Sequence, residues 1–209
     1  MKKKCTIELY SGTQSFSAVA REVLIGHSDH FTVDNNPAFE STTFRADVIV
    51  FDYETHIPAD EWCVTHIWAS PPCTQYSSAR TTGGPRNLRL ADSLVHRAIE
   101  IIQYYQMHSN NTLIWFIENP ANGLLKKRPF MQHLNQFAHK VDYCAYQPDW
   151  GLRKGTLIWT NQQGFTGKTC PGAKHCLACI PSPYCAIVSS TSIHLASVTG
   201  ILMNGILLK

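Results

Sequence analysis

The sequence predicts an α/β fold, an open sheet that presents its chemistry along one rim, and three observations predict it. A tight turn, Ser11-Gly12-Thr13, joins a strand-like stretch to a helix-spaced one. Short apolar runs recur along the chain, and each ends in a polar or reactive side chain, at Asp34, Asp52, Cys73 and Glu118. One run, Leu113 to Ile117, is continuously apolar, as expected of a central strand buried on both faces. In open α/β sheets the carboxyl ends of the strands carry the ligand and the chemistry.

The elements follow in order. Cys5 to Tyr10 reads as the first strand, and Gln14 to Leu24 as a helix through its apolar spacing at Phe16, Val19, Ala20 and Val23. Backbone amides at such a helix start can approach a ligand; with Gly12 as the single glycine, an ordinary strand–helix turn is the plainer reading of these residues. His30 to Val33 reads as a second strand ending at Asp34, a carboxylate suited either to ribose hydroxyls or to a turn before Pro37. Val48 to Phe51 reads as a third strand ending at Asp52. His66 to Ala69 is the fourth, stopped by Pro71 and Pro72, which cannot donate to a sheet ladder. Cys73 is thereby set on a rigid pedestal, as a nucleophile or as an inert buried thiol. The polar loop Thr74 to Asn87, with Gly83-Gly84-Pro85, is able to close over a substrate. Leu90 to Met107 forms an amphipathic helix, with Leu94, Ala98, Ile101, Ile102 and Tyr105 on one side. The strand Leu113 to Ile117 ends at Glu118-Asn119-Pro120. Phe130 to His139 reads as a short helix, and Val141 to Tyr146 and Thr156 to Thr160 as a closing antiparallel pair.

The bulk composition sets bounds. A chain of 209 residues, 44% hydrophobic and 16% charged, supports one sizeable core and argues against disorder. A net charge of +3 permits a nucleic-acid partner without requiring one. No apolar run reaches the roughly 20 residues of a membrane span. Met1-Lys2-Lys3-Lys4 leads into no apolar segment, so a secretory signal and a membrane site are not expected. Eight cysteines without such a signal suit a reducing compartment.

Taken together, the blocks Glu8-Leu9-Tyr10-Ser11-Gly12, Asp34, Asp52, Pro71-Pro72-Cys73, Glu118-Asn119-Pro120 and Arg153-Lys154 stand in an order that resembles the cytosine-C5 methyltransferases. The resemblance covers about residues 6 to 160 and is closest to the short viral and phage members, which lack a large recognition domain. It implies a class I, Rossmann-like fold with a mixed sheet, dependent on S-adenosylmethionine (SAM). It implies SAM contacts at Tyr10, Ser11, Gly12, Thr13, Asp34, Asn35, Asp52, Tyr53 and Pro71. It gives catalytic roles to Cys73, Glu118 and Arg153, and substrate-phosphate contacts to Arg80, Arg86, Arg89 and Lys154, although a solvated face is the other reading of those arginines. The implied partner is duplex DNA, met by a monomer in the cytoplasm or, for a eukaryotic virus, in the host nucleus. The chain departs from the family pattern at Gln14 and Ser15, where glycines are usual, at Pro120, where valine is usual, and at Gly155 or Thr156, where a second arginine is usual.

These residues suit one reaction. A Cys73 thiolate added to C6 of cytosine makes C5 nucleophilic, and a protonated Glu118 meets the ring at N3. A duplex target has to be flipped out of the stack. The same chemistry on RNA or on a free cytosine nucleotide, or a decayed module that only binds nucleic acid or a partner, are the other readings.

Three regions follow from this: a SAM-binding catalytic domain over 1–160, a small insert over 161–190, and a segment over 191–209 that closes onto the catalytic domain. The insert holds Cys170, Cys176, Cys179 and Cys185, whose central Cys-x-x-Cys step suits a structural zinc ion; reduced or disulfide-linked loop cysteines are the alternative. Lys168 and Lys174 give it a basic edge. Met203-Asn204-Gly205-Ile206-Leu207 resembles the family helix that closes the cofactor pocket.

Overall fold

Lys3–Leu9 (β1), Asp29–Asp34 (β2), Phe44–Arg45 (β3), Trp62–Ala69 (β4), Ile114–Pro120 (β5), Ala138–Asp142 (β6) and Gly155–Thr160 (β7) form one sheet in the computed structural model. The structure describes residues 1–78, 80, 84–109, 112–146 and 154–172. The strand order is β3-β2-β1-β4-β5-β7-β6. Strands β1 to β5 pair in parallel, while β7 runs antiparallel between β5 and β6. This is the mixed sheet expected of a class I methyltransferase. The order reverses between β1 and β4, so a crevice opens at their carboxyl ends.

Alternation along the strands builds two cores. Cys5, Ile7 and Leu9 of β1, Ile67 and Ala69 of β4, and Trp115 and Ile117 of β5 pack on one face. Against them lies helix α3 (Leu88–His108), which buries Ala91, Val95, Ala98, Ile102 and Tyr105 at three- and four-residue steps. Asn87 caps it by accepting the Leu90 amide at 3.1 Å. On the other face Trp68 and Phe116 meet Phe16, Val19 and Ala20 of helix α1 (Ser15–Val23). No described helix is long and apolar enough to cross a membrane.

Three expected elements lie elsewhere. The third strand is Phe44–Arg45, not Val48 to Phe51. Asp47 accepts the Ile49 amide at 3.0 Å and starts a turn, which buries Val48 and Phe51 but leaves Val50 76% exposed. The helix expected over Phe130 to His139 is replaced by short 3₁₀ turns at Leu125–Lys127, Pro129–Met131 and Asn135–Phe137, followed directly by β6. Pro129 supplies no amide, and Asn135 spends its side chain on Lys126 O and the Trp159 indole. Strand β6 therefore starts at Ala138, and Tyr143–Ala145 is a further 3₁₀ turn.

The segment after β7 returns along β6. Lys168 O accepts the Asp142 amide at 2.9 Å, and Cys170 N donates to the Asp142 carboxylate at 2.8 Å. A Cβ at Gly167 would lie 2.3 Å from Lys140 O, so only glycine lets the chain approach this closely. Cys170 thus sits near the rim where β5 ends and β7 begins. Cys176, Cys179 and Cys185, the rest of the 161–190 insert beyond residue 172, and the 191–209 segment with Met203 to Leu207 lie outside the described residues. Among the described residues, no group of three His, Cys, Asp or Glu side chains is arranged to hold a metal ion.

Candidate active site

The turn after β1 is unusually strained. Tyr10, Gly12 and Gln14 all have positive φ, at 57°, 47° and 58°. Only the glycine takes this conformation without a Cβ penalty, which is about 1–2 kcal/mol for other residues. Asp34 holds the turn in place. One carboxylate oxygen accepts the Gly12 amide at 2.9 Å and the other accepts the Asn36 amide at 2.8 Å. Gln14, standing where glycine was expected, donates its side-chain amide to Ser41 at 2.8 Å. Tyr10 donates its hydroxyl to Leu94 O at 2.7 Å, and burial raises its pKa.

The start of α1 is already occupied from within. Glu8 is buried, and its two oxygens accept the Phe16 and Ser17 amides at 3.2 and 2.8 Å. Burial pushes this carboxyl up to about 7 against the pull of those amides. The helix-start amides expected to face a ligand are, at these two positions, spent on Glu8.

Between the turn, the end of β2 and α3 lies a cleft of about 290 Å³. Tyr10, Asp34, Asn35, Asp47, Val48 and Pro72 are among its walls, with Phe39 and Leu94 adding apolar surface. Its chemistry fits SAM: carboxylates for ribose hydroxyls and an amine, and apolar surface for a purine. Asp34 keeps acceptor capacity beyond its two amides, and the buried Ser11 hydroxyl in the turn lacks a partner among the described residues.

Asp52 and Tyr53 are not part of this cleft. Asp52 is exposed and caps the short helix α2 (Tyr53–His56), accepting the Thr55 amide at 3.1 Å, which holds its carboxyl below the usual range. Tyr53 is buried, with the Arg97 guanidinium 4.8 Å from its ring. Asp47, one turn earlier, lines the cleft instead. Its place follows from the true end of β3, two residues before it.

Cys73 follows β4 as expected. Its carbonyl accepts the Tyr76 and Ser77 amides at 2.9 and 2.8 Å, so the thiol stands at the start of a helical turn. Pro71 is buried, and its carbonyl accepts the Asn119 side-chain amide at 3.0 Å. Pro72 lines the cleft just described, so the thiol's neighbour in the chain borders that space. Burial pushes the Cys73 thiol up, Glu118 adds to the rise, and Lys154 opposes it.

Glu118 is buried at the end of β5. Its Oε1 accepts the Thr156 hydroxyl at 3.3 Å and lies 3.6 Å from Lys154 Nζ. The Lys154 ammonium also lies 4.8 Å from the Tyr143 ring. Burial alone would lower this lysine, but Glu118, Tyr143 and Cys73 together hold its pKa above the ordinary value. Lys154, expected on the DNA, is thus drawn into the centre beside Glu118. Arg153 lies outside the described residues.

Two of the expected phosphate-binding arginines serve the loop itself. Arg86 donates to Gln75 O and Ser77 O at 2.6 and 2.9 Å. Arg80 donates to Gln75 Oε1 at 2.6 Å and to Gly84 O at 2.9 Å. Arg86 thereby braces the turn that carries Cys73 through two of its carbonyls, and Arg80 ties the Gln75 side chain to Gly84. Arg89 is exposed on the first turn of α3.

The chain is 34% identical over 184 residues to the probable DNA (cytosine-5)-methyltransferase of Frog virus 3 (isolate Goorha), covering 81% of this chain and 76% of that one. No family model matches. Among solved structures, the Entamoeba histolytica methyltransferase EhMeth aligns with a TM-score of 0.46 at 14% identity, over 81% of this chain and 58% of that one. The S. pombe Dnmt2 methyltransferase aligns with a TM-score of 0.47 at 14% identity, over 80% of this chain and 52% of that one. The chain therefore spans little more than half the length of those two structures.

Proposed function

The chain belongs to the cytosine-C5 methyltransferase family, whose enzymes draw the methyl group from SAM, and from that premise we propose that it methylates C5 of cytosine in DNA through a covalent bond between Cys73 and C6. The observation that carries this reading is the adjacency at one rim. Pro72 borders the 290 Å³ cleft, and the next residue, Cys73, shares its electrostatic surroundings with Glu118 and Lys154. DNA is preferred as substrate because the Frog virus 3 relative is a probable DNA methyltransferase.

In this reading Tyr10, Ser11, Asp34, Asn35, Asp47 and Pro72 hold SAM, which supplies an electrophilic methyl group when bound. Asp34 faces the ribose hydroxyls and Asp47 the purine amine. The Cys73 thiol gives its proton to solvent, and the thiolate sulfur adds to C6 of a flipped base. The electron pair of the C5–C6 double bond moves toward C5, and charge gathers at N3 and O2. Glu118 meets N3, while the Lys154 ammonium supplies the cation that stabilises this charge in a site with little water. Once C5 carries the methyl group, loss of its proton and departure of the sulfur restore the aromatic ring and the thiol.

The test uses SAM labelled with tritium in the methyl group and a panel of duplex DNA, single-stranded DNA, RNA and dCMP, with Cys73→Ala beside the wild type. Label recovered as 5-methylcytosine in duplex DNA, and lost in the variant, is the expected result. Label in RNA or dCMP instead would overturn the substrate and leave the chemistry. SAM binding without transfer to any of the four would overturn the enzymatic reading.

A further inference from the structure

A second cleft opens beside Lys154. It has a volume of about 360 Å³ and is walled by Pro120, Asn122, Lys140, Asp142, Lys154 and Gly155. None of the roles above uses it.

Its charges are paired. Each of its ammonium groups is paired with a buried carboxylate, Lys140 with Asp142, 4% exposed, and Lys154 with Glu118, 8% exposed. The two ammonium groups are the more exposed partners. Lys154 is 27% and Lys140 55% exposed through their side chains. Asp142 anchors Lys140 at 3.2 Å, and its carboxylate also accepts the Cys170 amide. An ammonium has three donors, so the contact with Asp142 leaves Lys140 donors for another acceptor. The absence of a side chain at Gly155 makes room for this. A Cβ there would lie 3.8 Å from Lys140 Cε and 3.0 Å from Asp142 Oδ1.

Edge protection does not account for Lys140. Lysines often guard exposed sheet edges, but the outer edge of β6 is already paired at Asp142 with Lys168 O. The cleft begins at Pro120, two residues beyond Glu118. Lys154 borders this cleft and also pairs with Glu118 at 3.6 Å, so an anion joined to a base held at Glu118 would meet the cleft's two ammonium groups.

We propose that this cleft binds the phosphate joined to the target nucleotide and that Lys140 is the residue that holds it. The proposal rests on the cytosine reading above. A phosphodiester of a polymer and the phosphate of a free nucleotide present the same anion, and the experiment separates them.

The probes are a mixed-sequence duplex carrying 5-fluorodeoxycytidine in place of deoxycytidine, 5-fluoro-dCMP, and 5-fluorodeoxycytidine without phosphate. Fluorine at C5 cannot leave as a proton does, so after methyl transfer the Cys73–C6 bond persists and trapped protein is counted on a denaturing gel. Wild type, Lys140→Ala, Lys140→Arg and Lys140→Glu are compared, with thermal unfolding to show that each is folded. The expected result is a roughly tenfold slower trapping by Lys140→Ala on the phosphate-bearing substrate, a larger loss in Lys140→Glu, recovery in Lys140→Arg, and no change on the bare nucleoside. On duplex, the dependence of log rate on log salt flattens by about 0.9, one phosphate contact. The duplex arm responding identifies a phosphodiester; the dCMP arm responding identifies a nucleotide phosphate. Trapping by wild type with the same rate and salt slope in Lys140→Ala overturns the phosphate cleft alone. No trapping by wild type on any probe overturns the cytosine reading and this proposal with it.

Discussion

Replacing Lys154 with methionine tests the electrostatics of the rim. At the observed 3.6 Å, two unit charges attract by roughly 4–5 kcal/mol at an effective dielectric of about 20. Methionine keeps most of the stem and removes the charge. Glu118 is then left buried with the Thr156 hydroxyl at 3.3 Å as its remaining hydrogen bond among the described residues. Breaking one side of a buried pair costs about 3–5 kcal/mol, and the desolvation that Lys154 no longer suffers returns part of this, leaving roughly 2–4 kcal/mol of lost stability. The second consequence is chemical. Burial and Glu118 already raise the Cys73 thiol, and Lys154 is the group that opposes them. Without it the thiol rises further, and each unit of rise lowers the thiolate fraction near neutrality about tenfold. The assay is alkylation of the Cys73 peptide by iodoacetamide as a function of pH, read by mass spectrometry so that the other cysteines do not interfere. The wild-type rate climbs with pH; in Lys154→Met the climb moves to higher pH and methyl transfer falls about a hundredfold, the scale of losing one transition-state donor. Lys154→Arg keeps the alkylation profile near wild type. An unchanged profile in a folded Lys154→Met protein would refute the argument that this lysine sets the state of the thiol.

Two further outcomes are expected. Asp47→Ala weakens SAM binding about tenfold or more, the worth of a hydrogen bond to a charged acceptor, whereas Asp52→Ala leaves the calorimetric Kd unchanged because its side chain serves the start of α2. An equal loss in both variants would contradict the placement of the cleft. At the opposite end of the sheet, His66 is bonded to Thr65 at 2.9 Å and its ring lies 6.2 Å from His27; burial lowers it to about 4, and the neighbouring His27 and His30 add to that. The unfolded chain takes up this proton first, so the stability from His66 is whole above about pH 6.5 and is lost as the pH falls toward 4, by about 2–3 kcal/mol. Urea unfolding at pH 7.5 and 5 should show the loss in wild type and a smaller one in His66→Gln; parallel slopes in the two proteins would sink this account.

The legible parts of the fold were those with an unambiguous period. Strand β5 buries both faces over Trp115 to Ile117, and β4 does so over Ile67 to Ala69, so those apolar runs are continuous, while β1 interleaves Thr6 and Glu8 and is marked by the turn that follows it. The run Val48 to Phe51 has the same composition, but Asp47 bends the chain ahead of it, and a side-chain bond of that kind outweighs a four-residue propensity. Near residue 130 the spacing of Phe130, Met131 and Leu134 fits a helix, but tertiary bonds from Asn135 decide the outcome. The same limit governs the site. The places of Cys73 just beyond β4 and of Glu118 near the end of β5 can be read from the sequence. The place of Lys154 beside Glu118 cannot, because it depends on β7 pairing antiparallel with β5 in the register Pro120 to Thr156. That register brings residue 154 beside Glu118, and no local pattern specifies it.

Cys73 and Glu118 are held in place by residues other than themselves. Side chains alternate along β5, so Glu118 and Asn119 point to opposite faces. Asn119 uses its amide to hold Pro71, two residues before the thiol. Three residues after the thiol, Tyr76 O accepts the Leu124 amide at 2.9 Å, tying the same loop to the segment beyond Glu118. The Tyr76 ring is fully buried, and its hydroxyl donates at 2.8 Å to Asp92 of α3, which Arg128 grips through Nε at 3.0 Å and Nη2 at 2.6 Å. A buried tyrosine hydroxyl is costly without such a partner, so apolar packing alone would favour phenylalanine here. The hydroxyl, with the carboxylate and guanidinium behind it, therefore fixes the Cys73 turn to α3 and to the chain that leaves Glu118. Misplacing reacting groups by about 1 Å can cost a hundredfold in rate, which, on the proposed reaction, gives these three segments a physical reason to be locked together.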